Sequence, residues 1–123
     1  MDITVMRYVL DTNVVLYLLG GRLLSPLPVG EFYLSVISEI EMLSYPAIAE
    51  AERLRVQRFL SQVTVVGINE DVKEHTIALR KKYRLKLPDA IICALALTTG
   101  SVLLSNDTQL SRISEITVNA VHI

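Results

Sequence analysis

The sequence predicts an α/β domain in which helices cover both faces of a central five-stranded parallel sheet. Short apolar runs alternate with helix-length segments along the whole chain, which is the order of successive β-α-β units. The runs are apolar throughout rather than at every second residue, as strands buried on both faces usually are. The 123 residues are 51% hydrophobic and 20% charged, a composition typical of folded proteins and unlike that of disordered chains. We therefore expect a single domain over residues 1–123.

The elements of the first half are marked by apolar spacing and by glycine and proline. An unbroken apolar run indicates a strand, and apolar residues three or four positions apart indicate a helix. Gly20 and Gly21 end the first helix, and Pro46 separates the second helix from the third. The predicted order is a strand over Tyr8–Leu10, a helix over Val14–Leu19, a loop over Gly20–Gly30, a strand over Glu31–Ile37, a helix from Ser38 and a helix over Ala47–Gln62.

Charged residues, proline and glycine mark the helices of the second half. The helix that begins at Glu70 starts with acids and ends with bases, as the helix dipole favours. Pro88 opens the next helix and Gly100 closes it. The predicted order is a strand over Val63–Gly67, helices over Glu70–Tyr83 and Pro88–Thr99, a strand over Val102–Leu104, a short helix over Asp107–Ile113 and a strand over Ile116–Ile123.

The charge balance and the cysteine count narrow the class of protein. A formal net charge of −1 argues against a strongly cationic nucleic-acid binder, so a polyanionic partner has to be bound by a local patch. The single cysteine, Cys93, cannot form an internal disulfide. No apolar run reaches the roughly 20 residues that span a bilayer, and the first residues lack the pattern of a signal peptide. We expect a cytoplasmic protein with no membrane partner.

Four acidic residues lie at junctions between a strand, or the loop that follows it, and the start of a helix. They are Asp11, Glu41, Asp89 and Asp107. In a doubly wound parallel sheet such junctions meet at the carboxyl ends of the strands, where ligands bind. Each acid alone has a simpler interpretation as part of a helix start. Asp11 and Asp107 would then be N-caps, Glu41 would form a capping box with Ser38, and Asp89 would be a first-turn acid.

Clustered carboxylates imply a cation. Asp11 and Asp89 lie in the most apolar parts of the chain, and a desolvated carboxylate without a partner costs several kcal/mol. Several such groups in one cleft repel one another and raise the pKa of some members unless a cation neutralises them. Ligand sets made only of oxygen select hard ions, so Mg²⁺ or Mn²⁺ is expected. Zinc is disfavoured because the chain has no Cys/His set at ligand spacing.

Four short motifs, in order along nearly the whole chain, resemble the successive motifs of PIN-domain nucleases, and most closely those of the VapC-type toxin ribonucleases of type II toxin–antitoxin systems. They are Leu10-Asp11-Thr12-Asn13, Ser35-Val36-Ile37-Ser38 leading to Glu41, Leu87-Pro88-Asp89-Ala90-Ile91-Ile92-Cys93-Ala94, and Leu104-Ser105-Asn106-Asp107. The resemblance implies a PIN-like three-layer α/β/α fold, with the four acids as the catalytic and metal-binding quartet. Asn13 and Ser105 match supporting polar positions. Members bind Mg²⁺ or Mn²⁺, cleave RNA, commonly form homodimers and are inhibited by a cognate VapB-type antitoxin.

One acid of the quartet has a rival in the sequence, and two other positions differ from the usual family pattern. Glu39 is a rival for Glu41, because both flank the apolar stripe of their helix and the helical period does not distinguish them. We choose Glu41 because the motif that begins at Ser35 places its acid there. Ser105 stands where many relatives have threonine, which keeps the hydroxyl. Pro88, directly before the third acid, is not typical of the subgroup and could shift that carboxylate.

The reaction expected from this resemblance is hydrolysis of an RNA phosphodiester by metal-activated water. RNA has to be attracted to a site that is negative without metal, and five basic residues within seven positions precede Asp89. They are Arg80, Lys81, Lys82, Arg84 and Lys86. Their alternative interpretation is a helix end that complements the helix dipole, followed by a solvated loop. The apolar residues of the loop Gly20–Gly30 are a candidate docking segment for a partner, unless they fold back on the core.

Two other classes compete with a nuclease. A catalytically weak or inactive PIN-like module would bind RNA or protein without turnover, but it predicts erosion of the four acids, and all four are present. A phosphoacceptor receiver domain has a similar length and alternation. It requires paired acids after the first strand and an aspartate after the third. The segment Asp11-Thr12-Asn13 has one acid, and Val63–Asn69 has none.

Overall fold

Residues 5–123, which the computed structural model describes, follow the predicted alternation of strands and helices. One turn of 3-10 helix, Leu110–Arg112, lies between the last two strands. The strands are β1 (Arg7–Leu10), β2 (Glu31–Ser35), β3 (Thr64–Val66), β4 (Val102–Leu104) and β5 (Thr117–Asn119), and the helices are α1 (Thr12–Leu19), α2 (Val36–Leu43), α3 (Glu50–Leu60), α4 (Glu70–Tyr83) and α5 (Leu87–Thr99). No helix within these residues is both long and apolar enough to cross a membrane.

All five strands are parallel and lie in the order β3-β2-β1-β4-β5. The chain therefore moves outward from β1 through β2 to β3, returns to the other side of β1, and ends at β5. The direction of winding reverses between β1 and β4, and such a reversal opens a crevice at the carboxyl ends of the two strands. Leu10 pairs with Leu104, so the residues that follow these two leucines begin side by side.

The two faces of the sheet carry separate cores, because successive residues of a strand point to opposite faces. Val9 and Leu103 belong to the core that contains α4 and α5. Leu10 and Leu104 belong to the opposite core, with residues of α1, α2 and α3. Helix α5 is buried over seven consecutive residues, Ala90–Ala96, since it packs against both α4 and the sheet. The fold is thus a three-layer α/β/α domain, as predicted.

Several predicted boundaries are wrong. Strand β2 ends at Ser35 rather than Ile37, because the Ser35 hydroxyl accepts a hydrogen bond from the backbone N–H of Ile37 and caps α2. The third helix begins at Glu50, three residues later than predicted.

The last predicted elements are shorter than expected. The helix predicted over Asp107–Ile113 is reduced to the 3-10 turn, as short segments with a costly helical nucleus often are. The strand predicted over Ile116–Ile123 is paired only over Thr117–Asn119. It is an edge strand, and its one neighbour, β4, offers three residues for pairing.

Candidate active site

A cleft of about 190 Å³ opens at the carboxyl end of β1. The carboxylates of Asp11, Glu41 and Asp89 line it, and each comes from a different element. Apolar side chains, among them those of Leu16 and Ile92, form the rest of its wall. Three of the four acids that the sequence placed at strand–helix junctions therefore meet at the sheet edge where a ligand was expected.

Asp11 is held toward this cleft by the segment that follows β4. Its backbone N–H donates to the Leu104 carbonyl at 3.0 Å, and the Ser105 hydroxyl donates to its Oδ2 at 2.6 Å. Asp11 occupies the N-cap position of α1, but its side chain makes no capping hydrogen bond. The simpler interpretation of Asp11 as a side-chain helix cap is wrong, because the carboxylate, only 8% exposed, is bonded to Ser105 instead.

Ser105 connects two of the acids. Its buried hydroxyl donates to Asp11 and accepts the backbone N–H of Asp107 at 3.1 Å. Asp107 itself does not line the cleft, and its Oδ1 accepts the backbone N–H of Gln109 at 2.9 Å. Asp107 thus closes a local turn, whereas the N-cap position of the 3-10 turn belongs to Gln109 and not to Asp107 as its simpler interpretation proposed. Ser105 ties the backbone of Asp107 to the buried aspartate.

Glu41 reaches the cleft from α2 through a contact with the start of α1. Thr12 Oγ1 lies 3.1 Å from Glu41 Oε1 and 2.8 Å from Ser38 Oγ. The capping box proposed for Ser38 and Glu41 is wrong, because Ser35 caps this helix. Glu39 is not among the residues that line the cleft, so the geometry favours Glu41, the acid that the motif selected.

The charges of the other three acids act on Asp89. Burial raises the pKa of Asp89, and the negative charges of Asp107, Asp11 and Glu41 raise it further. Asp107 is therefore part of the same electrostatic cluster although it stands outside the cleft wall. Cys93, one helical turn after Asp89, is fully buried, and desolvation together with these carboxylates raises its pKa to about 12. A buried thiol whose pKa is raised is a core side chain rather than a nucleophile.

The donor chemistry of the cluster fits a hard divalent ion, although the side chains do not already form a closed ligand set. Within residues 5–123 no three His, Cys, Asp or Glu side chains are grouped closely enough to hold a metal ion. Asp11, Glu41 and Asp107 each use one carboxylate oxygen in a hydrogen bond to a hydroxyl or backbone N–H. The three acids of the cleft offer only oxygen donors, and burial together with the neighbouring negative charges raises the pKa of Asp89. A cation there would replace repulsion by attraction.

The two supporting residues, Asn13 and Ser105, differ in their burial and in their contacts. Asn13 is exposed at the rim of the cleft, whereas Ser105 is buried and bonded to Asp11. Sequence reasoning missed the Thr12 hydroxyl as the contact of Glu41, and it paired Ser38 with Glu41 directly, whereas Ser38 contacts Thr12. The available signal was a hydroxyl directly after Asp11, at the first residue of a helix. Its partners could not be identified because they lie 26 and 29 residues away.

Pro88 lines the cleft in the first turn of α5 and leaves Asp89 within the cluster.

Two of the five basic residues proposed as RNA contacts are engaged within the protein. Arg80 Nε donates to the Leu85 carbonyl at 3.2 Å, which ties the end of α4 to the turn that follows. Lys82 Nζ lies 3.4 Å from the Glu115 carboxylate, and the charge of Glu115 raises the pKa of Lys82. For these two residues, the interpretation as part of a helix end agrees with the contacts.

The remaining three basic residues are exposed and lie around the turn between α4 and α5. Lys86 is the N-cap residue of α5, and its positive charge partly offsets the burial and carboxylate repulsion that raise the pKa of Asp89. Arg84 ends α4 in the left-handed conformation, at φ 56°, and Lys81 lies one turn earlier. Lys86 is therefore the basic residue of this set that the electrostatics tie to the cleft.

The apolar residues of the loop Gly20–Gly30 differ in their environment: some pack against the core and others are exposed. Leu27 packs against the core formed with α1, α2 and α3, as a loop that folds back would. Leu24 and Val29 are 77% and 96% exposed. A docking role for these two side chains stays a prediction.

Comparisons with known proteins agree with this geometry. The family model of the PIN domain matches residues 8–116. A similar solved structure, VapBC2 from Rickettsia felis bound to a promoter DNA fragment, has 18% identity and a TM-score of 0.80, covering 94% of this chain and 99% of that one. A toxin–antitoxin complex from Klebsiella pneumoniae has 28% identity and a TM-score of 0.73, covering 89% and 95%. VapBC-1 from nontypeable Haemophilus influenzae has 24% identity and a TM-score of 0.73, covering 94% and 98%. Among proteins of curated function, no match was found.

Proposed function

The chain belongs to the PIN-domain family, and from that premise we propose that it is a metal-dependent endoribonuclease and the toxin component of a VapBC-type toxin–antitoxin system. PIN domains are generally nucleases. The observation that carries the proposal is the cleft in which Asp11, Glu41 and Asp89 meet at the switch point of the sheet. Asp107 adds its charge to the same cluster.

In this proposal Asp11, Glu41, Asp89 and Asp107 hold Mg²⁺ or Mn²⁺. When bound, the metal supplies an activated water and neutralises charge that develops on the phosphate. Ser105 fixes the rotamer of Asp11 through its hydrogen bond to Oδ2. A bound cation would offset the burial and the neighbouring negative charges that raise the pKa of Asp89. Asn13, exposed at the rim of the cleft, is the proposed supporting residue and would donate to a bound phosphate.

The substrate of the proposal is RNA, whose backbone would approach along the basic turn before α5. Lys86 is the first candidate for a phosphate contact, since its charge already acts on the cleft. Arg84 and Lys81 are further candidates, whereas Arg80 and Lys82 are partly occupied by internal contacts. A cognate VapB-type antitoxin is the proposed partner, because similar solved structures are VapBC or toxin–antitoxin complexes. We also propose a homodimer, active in the cytoplasm.

The direct test is cleavage of mixed RNA by the purified chain with Mg²⁺, with Mn²⁺ and with EDTA. We expect cleavage only with metal. Asp11→Asn should reduce the rate at least about 100-fold, because changes to the partners of metal ligands already cost 10–100-fold and a ligand itself costs more. Glu74→Gln removes an exposed acid of α4, far along the chain from the cleft motifs, and serves as the matched control.

Three outcomes would contradict the metal-dependent nuclease. Equal cleavage in EDTA would point to a contaminating or metal-independent enzyme, and equal cleavage by Asp11→Asn would remove the cleft from the reaction. Absence of cleavage with either metal would leave the catalytically inactive PIN-like binding module as the better description.

A further inference from the structure

Glu41 differs from the other cleft acids in how it is supported. Asp11 is buried and held by the buried Ser105 hydroxyl, and Asp89 lies in the first turn of the most buried helix. Glu41 is an exposed glutamate on the short helix α2. A glutamate side chain has three rotatable bonds and loses considerable rotamer freedom when it is fixed. Its position in the cleft therefore requires a contact that selects one rotamer.

Thr12 supplies that contact. Its Oγ1 lies 3.1 Å from Glu41 Oε1, and it is the first residue of α1, directly after Asp11. The β-branch of threonine restricts χ1 to few rotamers, so a single further contact is enough to fix the position of its hydroxyl. The turn between β1 and α1 therefore carries one cleft acid, Asp11, and contacts a second, Glu41, through Thr12.

The Thr12 hydroxyl is itself anchored. It lies 2.8 Å from the hydroxyl of Ser38, which is completely buried and stands one helical turn before Glu41 on α2. The single hydroxyl proton of Thr12 can be donated to Ser38 or to Glu41, so its oxygen lies between these two side chains and the contacts join α1 to α2. The contact with the buried Ser38 fixes where the Thr12 oxygen lies, and that position is within hydrogen-bond distance of the Glu41 carboxylate.

From this geometry we propose that Thr12 is a positioning residue that holds the Glu41 carboxylate toward the cleft, with Ser38 as its anchor. The inference rests on the proposed function, since it assigns Thr12 a role in preparing Glu41 for a divalent ion. Thr12 acts on Glu41 as Ser105 acts on Asp11, so each carboxylate has one oxygen fixed by a hydroxyl of another element. Fixing the carboxylate before the ion arrives removes part of the entropic cost of binding.

The test compares Thr12→Val, which keeps the shape and removes the hydroxyl, with Thr12→Ser, which keeps the hydroxyl. The readout is Mn²⁺ affinity, measured by calorimetry and by the rise in melting temperature with Mn²⁺ concentration. We expect Thr12→Val to weaken Mn²⁺ binding about 10-fold or more and Thr12→Ser to restore most of it. Ser38→Ala should give a smaller loss in the same direction. Thr117→Val, at an exposed threonine of β5, is the matched control.

A double-mutant cycle identifies the route of the effect. If Thr12 acts through Glu41, Thr12→Val should cost little further affinity once Glu41→Gln is present. An equal loss in both backgrounds, or wild-type affinity in Thr12→Val, would overturn the inference. Thr12→Ala provides a second variant if the valine protein does not fold, as judged by its melting temperature without metal. A wild-type protein that shows no response to Mn²⁺ would overturn the proposed function, and this inference with it.

Discussion

Hydroxyl side chains decide the arrangement of the carboxylates at the scale of single residues. Ser105 bonds to Asp11 and to the backbone of Asp107, and Thr12 contacts Glu41. Asp89 has no such partner among the hydrogen bonds of residues 5–123 and lies among three other negative charges. Burial and repulsion therefore act on the Asp89 carboxylate without a hydrogen bond that offsets them.

Because its pKa is raised, the charge of Asp89 should destabilise the folded protein at neutral pH. Burial is the largest cause, followed by Asp107 and Asp11. The folded state binds the proton more tightly than the unfolded chain, so stability falls as pH rises from the ordinary value of 3.8 through the folded pKa. Asp89→Asn should raise the melting temperature by a few degrees at neutral pH in metal-free buffer and flatten its decline above about pH 4.

The measurement is a series of thermal melts across this pH range, with EDTA present. Glu74→Gln, outside the cleft, should leave the melting temperature nearly unchanged. A lower melting temperature for Asp89→Asn at neutral pH would show that its charge is compensated in the folded protein and would contradict the expected sign.

Element boundaries follow local chemistry more closely than apolar runs suggest. Ser35 ends β2 because its side chain caps α2, although Val36 and Ile37 continue the apolar run. Gly30 stands where β2 approaches β1. A Cβ at Gly30 would overlap the carbonyl oxygen of Met6 and lie 2.8 Å from a ring carbon of Tyr8. The entry to β2 therefore depends on the absence of a side chain at this position.

Gly30→Ala should lower the free energy of unfolding by about 1–3 kcal/mol, because the overlapping atom is backbone of Met6, directly before β1, and the chain around the paired strands has to shift. Gly67→Ala is the matched control, since a Cβ at Gly67 meets nothing within 4 Å, and its effect should stay within about 1 kcal/mol. Urea unfolding of the three proteins measures both values. Equal stabilities for Gly30→Ala and Gly67→Ala would contradict the close approach at Gly30.

Charge is distributed unevenly over the whole molecule. The net charge of −1 is a sum over an acidic cleft and basic residues that include the exposed turn before α5. Because Arg80 and Lys82 also make internal contacts, attraction of a polyanion depends more on Lys86, Arg84 and Lys81. Binding of a divalent ion at the cleft would shift the balance of the molecule toward positive charge, which favours RNA.

In cells, the proposed activity predicts that expression of the chain slows growth. Asp11→Asn, expressed to the same level, should abolish this effect, because it removes the carboxylate that Ser105 holds in the cleft. Co-expression of a cognate VapB-type antitoxin should restore growth. Growth curves with immunoblots of both proteins measure the outcome. Normal growth with the wild-type chain, or equal inhibition by Asp11→Asn, would contradict the toxin function.

The sequence by itself determined the layered fold and the set of acids at its strand–helix junctions. Apolar runs, helical spacing and capping residues are local signals, and each strand of β1–β5 was found at or within its predicted range, apart from shifts of one residue. Parallel strands bring their carboxyl ends to one edge, so Asp11, Glu41 and Asp89 could be expected to meet. Their roles as metal ligands remain a prediction.

The tertiary structure alone decided how each acid is held. Asp107 closes a turn beside the cleft instead of lining it, and Glu41 rather than Glu39 faces the cleft. The hydrogen bonds of Thr12 and Ser105 join residues between 26 and 94 positions apart. Such contacts depend on strand order and on the rotation of α2 about its axis. A local sequence pattern indicates the period of a helix, but it does not indicate how the helix is rotated about its axis when it packs.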